Sequence, residues 1–312
     1  QEQAPINADF TIQNRIITFP TGSDNGASQG FQVSTTRDLL IEGEEIGNIG
    51  ITSVTGPATE GVANQFSLKI IDQNQATIIF QAPSSTVQEG IATPHSIVVQ
   101  IDTGGAVLER AFSTSYSLSH QTTSAGTDFN PPTNLTFEWP AQTGNSATKS
   151  ISIPIIDNSV LEPTESFEIQ LQTPSTPSGI GGTSSHTVSI EDNDRANIGL
   201  VPVRDTASED GFPVEVAILL SQVSTTDTEV VITLGGTAVP TGSELNRTIP
   251  AGQTQFDMVL FVVEDDVVEG PETVTLQLSS IVRGDPDIQI DTENQIKTIT
   301  VLDNDSTSVT II

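Results

Sequence analysis

The sequence contains no cysteine. That excludes disulfides, thiolate catalysis and zinc–thiolate sites, and leaves the redox compartment open. Aromatic residues make up only 4%, with one Trp and one Tyr. Lys and Arg together number 10 in 312 residues, too few for the clustered basic surface that DNA, RNA or other polyanions require. No stretch approaches the roughly 18 apolar residues of a membrane span, so direct membrane insertion is not expected. Gln1 opens without a charged n-region or an apolar h-region, and any secretion leader is expected to lie upstream or to have been removed. What is abundant is carboxylate. Asp and Glu number 40, and the formal net charge is -30.

The chain repeats itself. The acidic triplet Asp192-Asn193-Asp194 recurs as Asp303-Asn304-Asp305 and, weakened, as Asp72-Gln73-Asn74. A Glu-x-x-Glu pattern appears at Glu42…Glu45, Glu162…Glu165 and Glu269…Glu272. The Gly126-Thr127-Asp128-Phe129 element is echoed by Asn7-Ala8-Asp9-Phe10 and, loosely, by Gly236-Thr237-Ala238 through Glu244. Glu42 and Glu162, Asp72 and Asp192, Ala76 and Ala196, and Glu89 and Glu209 are each 120 residues apart. A common offset across separate motifs means tandem domains. Residues 76–195 and 196–305 read as complete copies, termed copy two and copy three. Residues 1–75 match only the later strands of a copy (copy one), and 306–312 match the first strand of a further one. No Gly/Ser-rich spacer separates them, so neighbours are expected to abut.

Within a copy the apolar residues alternate. Phe112, Thr114, Tyr116 and Leu118 do so, as do Leu135, Phe137 and Trp139, then Ile151, Ile153 and Ile155, then Phe167, Ile169 and Leu171. Phe256, Met258, Leu260 and Val262 repeat the pattern in copy three. Period-2 alternation gives each strand one buried and one wet face. About seven such strands per copy, divided by Gly, Pro, Asp and Asn, predict tandem antiparallel Ig-like β-sandwiches, an all-β fold.

Read in chain order, these motifs resemble the Calx-beta domain, a sandwich module of sodium–calcium exchangers and of long extracellular adhesion proteins. The residues that carry the likeness in copy two are Ala76 to Phe80, Val87-Gln88-Glu89-Gly90, Gly126 to Phe129, Ile155 to Asn158 leading into Glu162 to Phe167, and Ser189 to Asp194. Copy three repeats it with Ser208 to Gly211, Val263 to Asp266, Glu269 to Glu272 and Val301 to Asp305. The resemblance implies Ca2+ held by acidic loops at one end of each sandwich. It nominates Glu89, Asp128, Asp157, Asn158, Glu162, Glu165, Asp192 and Asp194 in copy two. In copy three it nominates Glu209, Glu244, Glu264, Asp265, Glu269, Glu272, Asp303 and Asp305. Calcium takes six to eight oxygen ligands, which such loops can offer. The competing reading is a set of solvated turns, since Asp and Asn are common turn formers. Copy one lacks the opening Glu and carries Arg37-Asp38 in place of Asp157-Asn158, so no complete site is expected there.

Other chemistry finds little support. His95, His120 and His186 all fall in copy two, and copy three has none. A catalytic triad would not be confined to one of two matching repeats. No Gly-x-Ser-x-Gly, phosphate loop or His-Glu-x-x-His occurs, and an enzyme is not expected. Asn134-Leu-Thr and Asn246-Arg-Thr are sequons at equivalent positions, which marks Asn134 and Asn246 for N-glycosylation in a eukaryotic source. A third, Asn304-Asp-Ser, lies inside the acidic loop.

The expected function is an extracellular, calcium-dependent adhesion or matrix scaffold. The core proteins of sponge aggregation factors are one family with such arrays. The alternative is a spacer or stalk in a bacterial secreted adhesin. The expected partners are copies of itself or adjacent repeats of a longer chain, and glycans, and head-to-tail strand donation by 306–312 is one route to assembly.

Overall fold

The computed structural model describes residues 2–3, 9–174, 178–240 and 242–310. Among these residues every regular element is a β-strand, and no helix is long and apolar enough to cross a membrane. The chain is all-β, built of tandem sandwiches as the alternation predicted.

Copy two is a complete sandwich of two sheets. One has the strand order Thr136–Trp139, Phe112–His120, Glu165–Leu171, Ser185–Glu191, Ser84–Gln88; the other has Thr148–Ile153, His95–Asp102, Ala76–Phe80, Ser178–Ile180. Most neighbours are antiparallel, but Ser84–Gln88 runs parallel to Ser185–Glu191 and Ser178–Ile180 parallel to Ala76–Phe80. The opening run therefore changes sheets at 81–83, where Pro83 lacks the amide hydrogen that a continuous strand would use. This switch carries the chain to Glu89 at the end of the second segment.

Phe112, Thr114 and Tyr116 face inward from one strand, and Phe137 and Trp139 from the next. Leu135 departs from the expected alternation: it lies outside the strand and is 40% exposed. Phe129 and Phe167 stack at 4.3 Å between centroids, directly beneath the acidic loops. Copy three repeats the architecture, with strand orders Gln255–Leu260, Val214–Leu220, Ala196–Pro202, Ile288–Ile290 and Thr206–Ser208, Ile296–Leu302, Glu272–Arg283, Thr228–Gly236, Glu244–Ile249.

Copy one comprises a small sheet, Glu2–Gln3 with Glu44–Gly50 and Gln65–Ile71, and a hairpin of Phe10–Gln13 with Gln32–Thr35. Asn7 and Ala8, part of its echo of the Gly126 element, lie outside the described residues. The further first strand expected at 306–312 does not form over its described part. Residues 303–310 make no strand, and Val309 is 92% exposed. A strand needs a hydrogen-bonded neighbour, and none pairs there. Ile311 and Ile312 lie outside the described residues.

The copies are physically joined. Leu40–Ile41 of copy one pairs in parallel with Val107–Leu108 of copy two, and Val160–Leu161 of copy two pairs in the same way with Val223–Ser224 of copy three. Each pairing inserts a side chain into the next core. Ile41 belongs to the apolar cluster of copy two and Leu161 to that of copy three, and both are almost fully buried.

Candidate metal centres

The sequence motifs become a repeated backbone latch at the loop end of each copy. In copy two the first residue of the triplet, Asp192, accepts a hydrogen bond from Glu162 N at 3.0 Å through Oδ2 and one from Asp194 N at 2.9 Å through Oδ1. Asp303 accepts from Glu269 N at 2.5 Å and Asp305 N at 2.7 Å, and Asp72 from Glu42 N at 2.8 Å and Asn74 N at 2.7 Å. One carboxylate thus clamps the Glu-x-x-Glu loop to the triplet in all three copies. A second latch is an Asx turn: Asn158 Oδ1 accepts from Val160 N at 2.7 Å, Asp38 from Leu40 N at 2.9 Å and Asp265 from Val267 N at 2.8 Å. Such side-chain turns fix the loop backbone locally.

The neutral residues of the loops have work of their own. Asn193 Nδ2 donates to Asp157 Oδ1 at 3.1 Å, and Asn304 Nδ2 donates to Glu264 Oε1 at 3.1 Å. An amide at the centre of the triplet therefore orients an acidic neighbour. Gly90 makes room for this pair. Its φ is +73°, and a Cβ there would fall against Asn193 Nδ2 and 3.2 Å from Asp157 Oδ1.

Two acidic clusters form in copy two. Glu89, Asp192 and Asp194 have oxygens within 4.8 Å of one another, and so do Asp128, Glu162 and Glu165. Glu89 and Asp128 are buried at 5% and 2% exposure. Asp128 is held by Ser124 N, in the turn before Phe129. Burial, with Asp192, Glu162, Asp157 and Asp194 around it, raises the Glu89 carboxyl to about 7. Burial and a shared hydrogen bond with Asp128 raise Glu165 to about 8, and burial raises Glu162 and Asp194 as well. Carboxyls this crowded must protonate or take up a cation.

Copy three brings together Glu209, Asp303 and Asp305. Partial loss of solvent raises Glu209, Glu269 and Asp305, with Asp303, Asp265, Glu264, Asp266 and Glu272 adding repulsion. The loop carrying Glu264, Asp265 and Glu269 is exposed, so this site is more open than that of copy two. Glu244 is a correction to the sequence reading. It begins the strand Glu244–Ile249, opposite Thr233, and is exposed. The matching strands Phe112–His120 and Thr228–Gly236 end at equivalent positions, but copy two reaches its next strand, Thr136–Trp139, through residues 121–135, which include Asp128, whereas copy three reaches Glu244–Ile249 through the shorter connection 237–243. The two Asp9-like positions therefore lie in different local structures.

Copy one, where no complete site is expected, also gathers carboxylates. Asp9, Asp38 and Glu42 cluster, and Glu42, Glu45 and Glu109 form a second group. Glu42 is raised to about 7 by burial, then by Asp38, Asp9, Glu45 and Glu109. Glu109 comes from copy two, and no local motif announced it.

The donor set fits a hard divalent cation. It consists of oxygens alone, in loops whose backbone is already fixed. Glu89 Oε2 and Asp194 Oδ2 in copy two, and the equivalent Glu209 Oε2 and Asp305 Oδ2 in copy three, are buried with no hydrogen-bond partner. A buried anionic oxygen without a partner is costly, and a cation would satisfy it.

Of the sequons, Asn134 and Asn246 are exposed. Asn134 Oδ1 accepts from Thr136 Oγ1 at 2.8 Å, within its own sequon. Asn246 stands on the outer strand Glu244–Ile249.

Among solved structures, the apo form of the Calx CBD1 domain is 26% identical over 38% of this chain and 99% of its own, with a TM-score of 0.34. CBD12 from CALX1.2 is 18% identical over 72% of this chain and 99% of its own, with a TM-score of 0.35. The calcium binding domain CBD12 of CALX1.1 is 17% identical over 73% and 99%, with a TM-score of 0.34. No curated protein matches the chain. The Calx-beta domain family matches residues 72–194 and 214–305, more than half of the sequence, and the chain belongs to that family.

Proposed function

We propose that copies two and three bind Ca2+ in their acidic loops and that the bound ions stiffen an extracellular array serving as an adhesion or matrix scaffold. The observation that carries the calcium reading is the recurrence of the orphaned oxygens: Glu89 Oε2 with Asp194 Oδ2, and Glu209 Oε2 with Asp305 Oδ2. A chance crowding of solvated turns would not leave the same two atoms buried and unpartnered in successive repeats. The scaffold reading draws on the side chains that plug each copy into the next, which resist bending between repeats. N-glycans on the exposed Asn134 and Asn246 belong to the same proposal, as does an extracellular location.

Isothermal titration of the full chain after chelation tests calcium binding. Heat saturating at micromolar to millimolar Ca2+ is expected, and none at millimolar Ca2+ ends the reading. The alternative use of such an array is a bacterial surface stalk, which would carry no glycan at Asn134 or Asn246. Intact mass of the protein from its native source separates the two.

A further inference from the structure

We propose that the Ser85 hydroxyl, held between His95 and His186, is an acid-released latch that keeps the strand Ser84–Gln88 on its sheet. The hydroxyl oxygen lies 2.7 Å from Nε2 of each ring. The three residues come from three strands and from both sheets of copy two. His95 opens His95–Asp102 in one sheet, while Ser85 and His186 stand on Ser84–Gln88 and Ser185–Glu191 in the other. His186 Nδ1 also lies 2.7 Å from Ala82 O, a carbonyl of the crossover at 81–83. The latch therefore grips the chain on both sides of Pro83, where it passes from one sheet to the other.

The strand it holds is lightly anchored. Ser84–Gln88 is the last of its sheet and pairs on one side only, in parallel with Ser185–Glu191. Of its five residues Val87 alone is buried, and Ser84, Thr86 and Gln88 are exposed. Segments with few buried apolar contacts open at low free energy.

The hydrogens of the latch decide its response to acid. Ala82 O can only accept, so His186 donates from Nδ1, and its neutral Nε2 accepts the Ser85 hydroxyl hydrogen. His95 Nε2 donates to the same oxygen. A proton on His186 Nε2 turns an acceptor into a second donor aimed at Ser85 Oγ, and the hydroxyl hydrogen loses its partner. Two charged rings would also repel each other across one oxygen. Burial, and then the charge of His186, lower the pKa of His95 from 6.5. The closed latch thus holds fewer protons than the released strand, and release gains as pH falls below about 6.5.

Other charges do not share this position. His95 stands opposite Ile153, His186 opposite Ile169 and Ser85 opposite Val188. On the surrounding strands Lys149 stands opposite Val99, Asp102 opposite Thr77, Glu165 opposite Ile190, Glu168 opposite Thr187 and Glu191 opposite Gln88. Glu89, just past the strand, has a raised carboxyl and acts with the opposite sign, favouring the closed strand as pH falls. Copy three has no histidine, and its matching strand Thr206–Ser208 pairs over three residues instead of five. The latch belongs to copy two alone.

The proposal is independent of the calcium reading, and its test is run in chelator. Amide hydrogen exchange of the full chain is followed from pH 7.5 to pH 5, as the ratio of Ser84–Gln88 to Phe112–His120 after correction for intrinsic rates. His95→Gln keeps an amide donor for Ser85 but removes one titrating ring. Glu89 is common to both chains, so comparing them at each pH isolates the latch. Strand exchange in the parent relative to His95→Gln is expected to rise at least about threefold across the range, against a limit of about tenfold per pH unit for one proton. Ser85→Ala is expected to exchange at least about fivefold faster at Ser84–Gln88 than the parent at pH 7.5, since a lost buried hydrogen bond costs more than that factor. Ring nitrogen shifts by NMR should show His186 gaining its second proton only in step with strand exchange. A parent-to-variant ratio that stays flat overturns the latch, as does Ser85→Ala exchanging no faster than the parent. A doubly protonated His186 beneath a still protected strand overturns it too. So does an acid response shared equally by Phe112–His120, which would be unfolding of the whole sandwich.

Discussion

Val160 pairs in parallel register with Val223 across a repeat boundary, and the next residue, Leu161, is fully buried in the core of the following copy. Removing that plug should therefore unfold a domain to which Leu161 does not belong by sequence. Leu161→Ala is expected to cost about 2–5 kcal/mol, the range for a buried leucine truncated in place. The loss should appear in copy three, as faster hydrogen exchange over Val214–Leu220 and Thr228–Gly236. Val268 holds the matching place in copy three but is 49% exposed, and Val268→Ala should change stability by no more than about 0.5 kcal/mol. Equal effects of the two substitutions would refute the plug.

The acidic loops set a pH dependence whose sign follows from their raised carboxyls. Glu42 and Glu89 stand at about 7 and Glu165 at about 8, against 4.5 when unfolded. Between those values the folded chain binds more protons than the unfolded one, so stability falls as pH rises. In chelator, the melting temperature is expected to drop steadily from pH 5 to pH 8. Saturating Ca2+ should abolish the drop, because a bound cation favours the ionised form. Differential scanning calorimetry in both conditions checks this, and a flat or rising profile in chelator contradicts it.

His95 in copy two sets a pH dependence of the opposite sign. His186 Nδ1 lies 2.7 Å from Ala82 O, an acceptor, so it carries the proton and Nε2 must accept from Ser85 Oγ at 2.7 Å. His95 Nε2 then donates to the same hydroxyl at 2.7 Å. Burial, and then the neighbouring His186, lower the pKa of His95. A depressed histidine contributes stability that is present above its ordinary value of 6.5 and lost as pH falls through the folded value. NMR of the ring should show His95 titrating below 6.5. Ser85→Ala removes the bridge and should cost about 1–3 kcal/mol, since it strands the buried His186 Nε2.

Gly90 tests the preorganisation of the copy-two loops. Gly90→Ala imposes a side chain at φ +73° and drives its Cβ against Asn193 Nδ2. It should break the Asn193–Asp157 bond and weaken Ca2+ binding about tenfold, an effect of about 1.4 kcal/mol. Gly61→Ala, where a Cβ meets nothing within 4 Å, is the matched control. Titration calorimetry that finds the two variants equal would remove Gly90 from the argument.

The strands were legible because burial on one face of a sheet imposes a period of two on the residues themselves. Phe112, Thr114 and Tyr116 show this within five positions, and the 120-residue offset of Glu42, Asp72 and Glu89 exposed the tandem order. The loop residues were legible as a set, since repeated motifs mark repeated positions. Their individual roles were not. Asp192 is nominated in sequence as a ligand, but nothing local shows that its carboxylate also clamps the Glu162 and Asp194 amides, or that Asn193 donates to Asp157. Glu244 was misread because an acidic residue near the expected place does not reveal whether a turn or a hairpin carries it.

By itself, then, the sequence determined an all-β array with carboxylates recurring at the same loop positions of each repeat, because both follow from patterns local to a strand or a turn. Only the tertiary structure decided which carboxylates meet. Ile41 in the core of copy two and Glu109 beside Glu42 join segments about 67 residues apart or more, brought together by strand pairing between domains. No local period records such a contact, since its energy depends on the fold of two neighbouring repeats at once.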